Sequence, residues 1–274
     1  MISSWCNGEP ATQLPIDDRS VLFGDSCFST IAVANGQPAL WSRHRERLQL
    51  TVQRLRFPEP DWQALERELA VACTGVGRGI VRVTLTRGRG GRGYGLPANG
   101  ECQRLLLRRD WPLDVERHGR DGIRIRWCDT RLSAQPLLAG LKHGNRLEQV
   151  LARAEWQDAQ IAEGLMCDDR GVVVEGTTSN LFFRAADGRW CTPSLARCGV
   201  AGVMRAELLA QCEQQGLPVE VADFPPDALL AATEVFLCNA VIGIWPVIAL
   251  AERQWPIGAA TRQLQQLIGR NPNG

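Results

Sequence analysis

Lysine is almost absent from this chain. Of its 31 lysines and arginines, Lys142 is the one lysine. Tyrosine also occurs once, and there are three histidines. His44, His118 and His143 are scattered, and the ten cysteines form no CxxC pair, so the ligand spacing of a zinc site is missing. No apolar run approaches the ~20 residues that a membrane helix requires. Met1-Ile2-Ser3-Ser4-Trp5 has neither the charged leader nor the apolar core of a secretory signal. An excess of charge is missing too, with 31 basic against 30 acidic residues and no basic block. These absences argue against a bound metal, a membrane span and a nucleic-acid footprint. They leave the thiols to be read as free, buried groups in a reducing cytoplasm.

The remainder is an ordinary globular composition, with 45% hydrophobic and 22% charged residues over 274 positions. Strand and helix patterns mix along the chain, which predicts an α/β (mixed α+β) fold. Asn7-Gly8 and Asn35-Gly36 are hairpin dipeptides, the second joining Cys27–Ala34 to Pro38–Trp41. Asp17 to Asp25 reads as a turn or short helix ending at Gly24. Ser42 is placed to cap a helix to about Arg56, and Asp61 a second one that stops at Gly75. Ile80–Arg87, Gln103–Arg109 and Ile123–Cys128 alternate as strands. The polar stretch between two of them predicts a first domain over 1–112, a linker at 113–122 and a second domain over 123–274. A helix is expected from Asn145 to Glu163, with Leu147, Val150, Leu151 and Ala154 facing inward. Val172–Glu175 and Leu181–Phe183 read as strands, and helices follow Gly202 and span Ala260–Ile268.

Arginine serves surface pairing and phosphate recognition as well as lysine does, but it does not give up its proton at working pH. A position that kept lysine is therefore a candidate amine nucleophile or Schiff-base former. Lys142 lies just before the expected helix start, where backbone dipoles lower an ammonium's pKa. Glu175 ends an apolar strand, where a carboxylate needs a partner. Gly202 before a helix lets backbone N–H groups approach an anion. The run Arg87-Gly88-Arg89-Gly90-Gly91-Arg92-Gly93-Tyr94-Gly95 follows a strand directly and mixes arginines with the one tyrosine. It reads as a substrate-binding loop, with a plain flexible loop as the alternative. Lysine, glutamate, Arg47 and the Gly202 helix start match the aldehyde, ring nitrogen and phosphate of pyridoxal phosphate.

Several stretches in order resemble the fold-type IV pyridoxal-phosphate enzymes, which include the branched-chain and D-amino acid aminotransferases. They are Phe23-Gly24-Asp25, His44-Arg45-Glu46-Arg47-Leu48, Lys142, Glu175 with Ser179-Asn180-Leu181-Phe182, and Gly202-Val203-Met204-Arg205. The resemblance implies a two-domain fold like that of D-amino acid aminotransferase, a homodimer and pyridoxal 5'-phosphate as cofactor. It assigns the Schiff base to Lys142, the ring-nitrogen carboxylate to Glu175 and the phosphate to Arg47 with the backbone of Val203 and Met204. Asn180 and Asn239 join the cofactor-binding set. Three stretches resemble the aminodeoxychorismate lyases of this family: Leu141 to Val150, the glycine-rich loop, and Cys238-Asn239-Ala240. That likeness implies conversion of 4-amino-4-deoxychorismate to 4-aminobenzoate and pyruvate through an aldimine at Lys142, a step towards folate. Thr30 is then a candidate proton donor. Phe28, Arg87, Arg89, Arg92 and Tyr94 are candidate substrate residues. An aminotransferase on the same scaffold, a cofactor-free Schiff-base aldolase and a non-enzymatic binding module are the competing readings.

Overall fold

The computed structural model describes residues 3–269 and is a mixed α/β fold; Met1, Ile2 and 270–274, the outer ends of the two expected domains, lie outside the described residues. The chain divides into two compact units. Among the described residues, the first holds 3–112 and Leu141–Asn145, and the second holds Leu113–Gly140 and 146–269.

The first unit runs β1 (Ser3–Cys6), β2 (Glu9–Pro10), α1 (Arg19–Phe23), β3 (Ser26–Ala34), β4 (Gln37–Pro38), α2 (Trp41–Arg54), α3 (Trp62–Cys73), β5 (Arg78–Thr86) and β6 (Gln103–Asp110). Its six strands form an antiparallel sheet in the order β2-β1-β6-β5-β3-β4. Asn35 and Gly36 both take positive φ, 50° and 75°, which gives the tight turn that the dipeptide predicts between β3 and β4. Alternation along β3 and β5 sends Cys27, Ile31, Val33, Val81, Val83 and Leu85 to one face, where they pack with Leu48, Val52, Leu65 and Leu69 of the helices. Asp61 caps α3 as expected, accepting from the Ala64 N–H at 2.9 Å. Ser42 does not cap α2, which starts one residue earlier behind Leu40 in the left-handed region.

The second unit runs α4 (Val115–Asp121), β7 (Ile123–Trp127), α5 (Leu147–Ala154), β8 (Ile161–Cys167), β9 (Val173–Gly176), β10 (Asn180–Arg184), β11 (Trp190–Pro193), α6 (Val203–Gln214), β12 (Val219–Ala222), α7 (Pro226–Leu230), β13 (Glu234–Asn239), β14 (Gly243–Leu250), β15 (Arg253–Gln254) and α8 (Ala259–Gly269). The strand order is β12-β11-β10-β13-β14-β7-β8-β9, with β15 on β14. A further pairing of β9 with β10 closes six of these strands into a ring and sets Glu175 opposite Asn180. Leu165, Leu181, Phe183, Val235, Leu237 and Val247 are among the core residues. The stretch 113–122 carries α4, whose Val115 carbonyl accepts from the Trp245 indole at 3.0 Å.

The helix expected over Asn145–Glu163 is shorter than its sequence pattern. Glu155, just past α5, turns back to accept the N–H groups of Asp129 and Thr130, both at 2.8 Å. Asp158 then forms a side-chain turn with the Gln160 N–H at 2.8 Å, which diverts the chain into β8. The orientation of α5 also differs. Ala152 is buried, whereas Leu147, Val150 and Leu151 are exposed.

Candidate active site

In the first unit the segment carrying Lys142 is held by strand-type hydrogen bonds rather than by a helix start. The Phe28 N–H donates to the Lys142 carbonyl at 3.0 Å, and the Gly144 N–H donates to the Ser26 carbonyl at 2.7 Å. Between them His143 bridges to Cys27. A Cβ on Gly144 would overlap the Ser26 hydroxyl and crowd the Gly24 carbonyl, so this close approach requires glycine. The next helix, α5, begins only at Leu147, so Lys142 is not in its first turn. The sequence clusters Phe23-Gly24-Asp25 and Lys142-His143-Gly144-Asn145 are thus two sides of one junction; Asn145 also donates to the Gly24 carbonyl at 3.4 Å.

The two faces of β3 divide the chemistry. On the helix side, Ser29 Oγ is 2.7 Å from His44 Nδ1 and accepts from Arg47 Nη2 at 2.6 Å. Burial pushes the Arg47 guanidinium down to about 10. Even so it remains cationic at neutral pH, and a half-buried cation is suited to an anionic group. Burial, with the charges of Arg47 and Lys142 adding to it, holds His44 well below the ordinary histidine range, hence neutral. On the opposite face stand Phe28 and Thr30, paired in register with Thr84 and Arg82. Lys142 Nζ lies 4.8 Å from the centre of the Phe28 ring. Arg82 Cζ lies 3.7 Å from the same ring, and its Nε donates to Thr84 Oγ1 at 3.3 Å. Among the described residues Arg82 has no carboxylate partner. Sequence reasoning passed over Arg82; the signal was a charge in the middle of the alternating strand Ile80–Thr86.

The glycine-rich loop does not distribute its arginines as expected. Arg87 is buried, and its guanidinium donates to Asp25 twice, at 2.7 and 3.2 Å, and to the carbonyls of Arg56 and Leu55 at 2.6 and 2.7 Å. With four N–H bonds made inside the fold, Arg87 is a structural residue, which corrects its assignment as a substrate binder. Arg89 pairs with Asp17 at 2.6 Å on the surface. Arg92 and Tyr94 are exposed, and Tyr94 stacks obliquely on Phe23 at 5.3 Å.

The second unit presents a carboxylate and a helix start. Glu175 is buried, and its Oε2 accepts from Asn180 Nδ2 and from the Val200 N–H, both at 3.0 Å. Asn180 also donates to the Val200 carbonyl at 2.9 Å, which locks the amide orientation. Gly202 caps α6 with no side-chain bond to the first turn, where Val203 and Met204 stand. A Cβ at Gly202 would overlap Asn180 Oδ1, so glycine is required there too. Glu163 braces the turn between β9 and β10: its carboxylate accepts from Thr177 Oγ1 and, at 2.7 and 3.1 Å, from the Thr178 and Ser179 hydroxyls. Arg146, to which the sequence reading gave no role, has the charges of Glu175 and Glu148 acting on it. Asn239 closes a local turn. Its Oδ1 accepts from the N–H groups of Val241 and Ile242 at 2.9 Å, and its Nδ2 donates to the Thr178 carbonyl at 3.1 Å. That amide builds its own turn with these three bonds. No group of His, Cys, Asp and Glu among the described residues could hold a metal ion.

The amino-transferase class IV family pattern matches residues 26–250, and the chain belongs to that family. Within it the chain is similar to aminodeoxychorismate lyases. It is 39% identical to the aminodeoxychorismate lyase of Vibrio harveyi, over 95% of this chain and 97% of that protein. The crystal structure of 4-amino-4-deoxychorismate lyase from Pseudomonas aeruginosa superposes with a TM-score of 0.94 at 48% identity, covering 99% of this chain and all 100% of the other. The Escherichia coli branched-chain amino acid aminotransferase shares the fold, with a TM-score of 0.83 at 22% identity over 99% of this chain and 95% of its own.

Proposed function

We propose that this protein is a pyridoxal-phosphate-dependent lyase that converts 4-amino-4-deoxychorismate to 4-aminobenzoate and pyruvate. The observation that carries the reading is Lys142, the one lysine, held by backbone bonds to β3 with its amine against Phe28 beside Arg82. The residues present fit the cofactor. Lys142 offers an amine to an aldehyde. Glu175, fixed by Asn180 and the Val200 N–H, offers a carboxylate to a ring nitrogen. Arg47 and the α6 start, uncapped by any side chain, offer a guanidinium and N–H groups to a phosphate. When bound, pyridoxal phosphate supplies a carbonyl for the substrate's amine and a ring that accepts electrons.

The substrate must lose the proton on its amine-bearing carbon, and the neighbouring carbon must lose its enolpyruvyl oxygen. Lys142 Nζ would be the base for the proton. Breaking the carbon–oxygen bond then makes the ring aromatic, which drives the step. The departing enolpyruvate needs one proton on its methylene carbon to become pyruvate. Lys142, or the Thr30 hydroxyl on the Phe28 face, delivers it. Phe28 forms an apolar wall. Arg82, which has no carboxylate partner of its own, is suited to a substrate carboxylate. Arg92 and Tyr94, exposed on their own chain, serve the second carboxylate in a homodimer, the loop of one copy being offered to the other. Val21, Leu22 and Leu96 of the first unit, and Leu147, Val150 and Leu151 of the second, are exposed apolar side chains of the kind a partner would cover. All ten cysteines are free, which supports a reducing, cytoplasmic location.

The test is incubation of the cofactor-loaded protein with 4-amino-4-deoxychorismate, with both products measured and no keto acid added. Release of both supports the lyase. Turnover only when a keto acid accepts the amino group would identify an aminotransferase, an activity named in relatives 25–28% identical to this chain.

A further inference from the structure

The glycine-rich loop is folded onto α1 by one buried guanidinium. Arg19 is 4% exposed. Its Nε donates to Asp25 at 2.9 Å, and its Nη1 stands within hydrogen-bond reach of the carbonyls of Gly90, Gly93 and Gly95, at 3.4, 3.3 and 3.1 Å. Its backbone N–H donates to the Gly88 carbonyl at 2.9 Å. The guanidinium also stacks 4.9 Å from the centre of the Phe23 ring, on which Tyr94 rests. Asp18 ties the root of the loop to the same helix: it caps α1 through the Ser20 N–H at 2.8 Å and accepts from Thr86 Oγ1 at 3.0 Å. The Thr86 hydroxyl accepts in turn from the Gly88 N–H at 3.0 Å. Asp25 also has Arg87 as a partner, so its charge does not require Arg19. Three carbonyls converging on one buried cation are a reason for arginine at this position that the ion pair alone does not give.

The geometry points to Arg19 as a positioning residue for substrate recognition: it holds Gly88–Gly95 as a preformed arm that presents Arg92 and Tyr94. This rests on the reading of that loop as a carboxylate binder. An arm already ordered loses less conformational freedom when it meets the substrate than a flexible glycine loop would. Four of the five glycines supply the positive-φ turns that bring carbonyls inward; Gly88, Gly90, Gly91 and Gly93 all have φ above 50°. A Cβ on Gly91 would overlap the Gly95 carbonyl and approach Arg19 Nη1.

Three variants test it: Arg19→Lys, Gly91→Ala and Arg92→Gln. Arg19→Lys keeps a cation for Asp25 and loses the fork. Gly91→Ala disturbs the loop while leaving both ion pairs of Asp25 in place. Each is checked for fold by circular dichroism and for cofactor loading by absorbance, then assayed for KM, kcat and the rate of trypsin cleavage after Arg89 and Arg92. Arg19→Lys and Gly91→Ala are both expected to raise KM for 4-amino-4-deoxychorismate about tenfold, the equivalent of one charged hydrogen bond, with a smaller change in kcat. Cleavage in the loop is expected to accelerate by about the same factor. A wild-type cleavage rate in Arg19→Lys overturns the positioning role, because lysine then suffices. An unchanged KM in Arg92→Gln overturns instead the reading of the loop as a substrate binder, whatever the cleavage rates show.

Discussion

Arg82 lies within β5 and Arg87 just past its end, yet they belong to different regions of the first unit. Around Arg87 every charge is answered inside the fold. Asp25 receives both Arg19 and Arg87, and carbonyls of Leu55 and Arg56 take two further Arg87 donors. Around Phe28 two cations lie over one ring, and among the described residues Arg82 has one hydroxyl as its hydrogen-bond partner. The first arrangement holds loops in place. The second leaves the Arg82 guanidinium without a carboxylate from the described residues. The difference teaches that an arginine's role here is set by how many of its donors the fold already uses, which a count of arginines does not disclose.

The strongest way to separate the regions is Lys142→Ala. It is expected to lower kcat by about 10³-fold or more, because it removes the proton-transferring amine, while leaving the urea unfolding midpoint close to wild type; steady-state assays and unfolding curves check both. Arg87→Met should do the opposite. Removing one member of a buried ion pair is expected to cost about 3 kcal/mol of stability, the lower end for such pairs because Arg19 still faces Asp25. Urea denaturation reads this directly, and a stability loss below about 0.5 kcal/mol would erase the contrast. Arg82→Gln is expected to raise KM for the substrate about tenfold and to leave stability within about 0.5 kcal/mol. Equal effects of Arg82→Gln and Arg87→Met on stability would break the comparison.

The smallest expected effect concerns His44, on the far face of β3 from Phe28. Its pKa in the folded state is well below the ordinary value, chiefly through burial. The unfolded chain therefore takes up a proton below about pH 6.5 that the folded chain refuses. The stability linked to this group is fully present above that pH and falls as the pH drops, by up to ~1.4 kcal/mol per unit. In His44→Gln this part of the acid slope is expected to vanish, as measured by urea midpoints between pH 7 and pH 5.

Local signals in the chain were read well where the cause was local. Asn35-Gly36 demands positive φ, and Asp61 has an N–H to cap. The Gly202 helix start likewise needed only its own sequence. What escaped depended on neighbours distant in sequence. Leu147, Val150 and Leu151 share a helical face, but periodicity does not say whether that face meets this chain's core or solvent. The end of α5 was set by Glu155 reaching back to residues 129 and 130. Arg87 looked like part of a binding loop until its carbonyl partners, contributed by residues 55 and 56, were in view. The turn that Asn239 closes is likewise not visible in the sequence around it.

The central claim is that Lys142 and its surroundings perform a lyase reaction. The most direct measurement is product analysis of the cofactor-loaded protein with 4-amino-4-deoxychorismate as the sole organic substrate. The expected result is 4-aminobenzoate and pyruvate in equal amounts over many turnovers, and neither with Lys142→Ala. Failure of the loaded protein to form them, or their undiminished formation by Lys142→Ala, would contradict it.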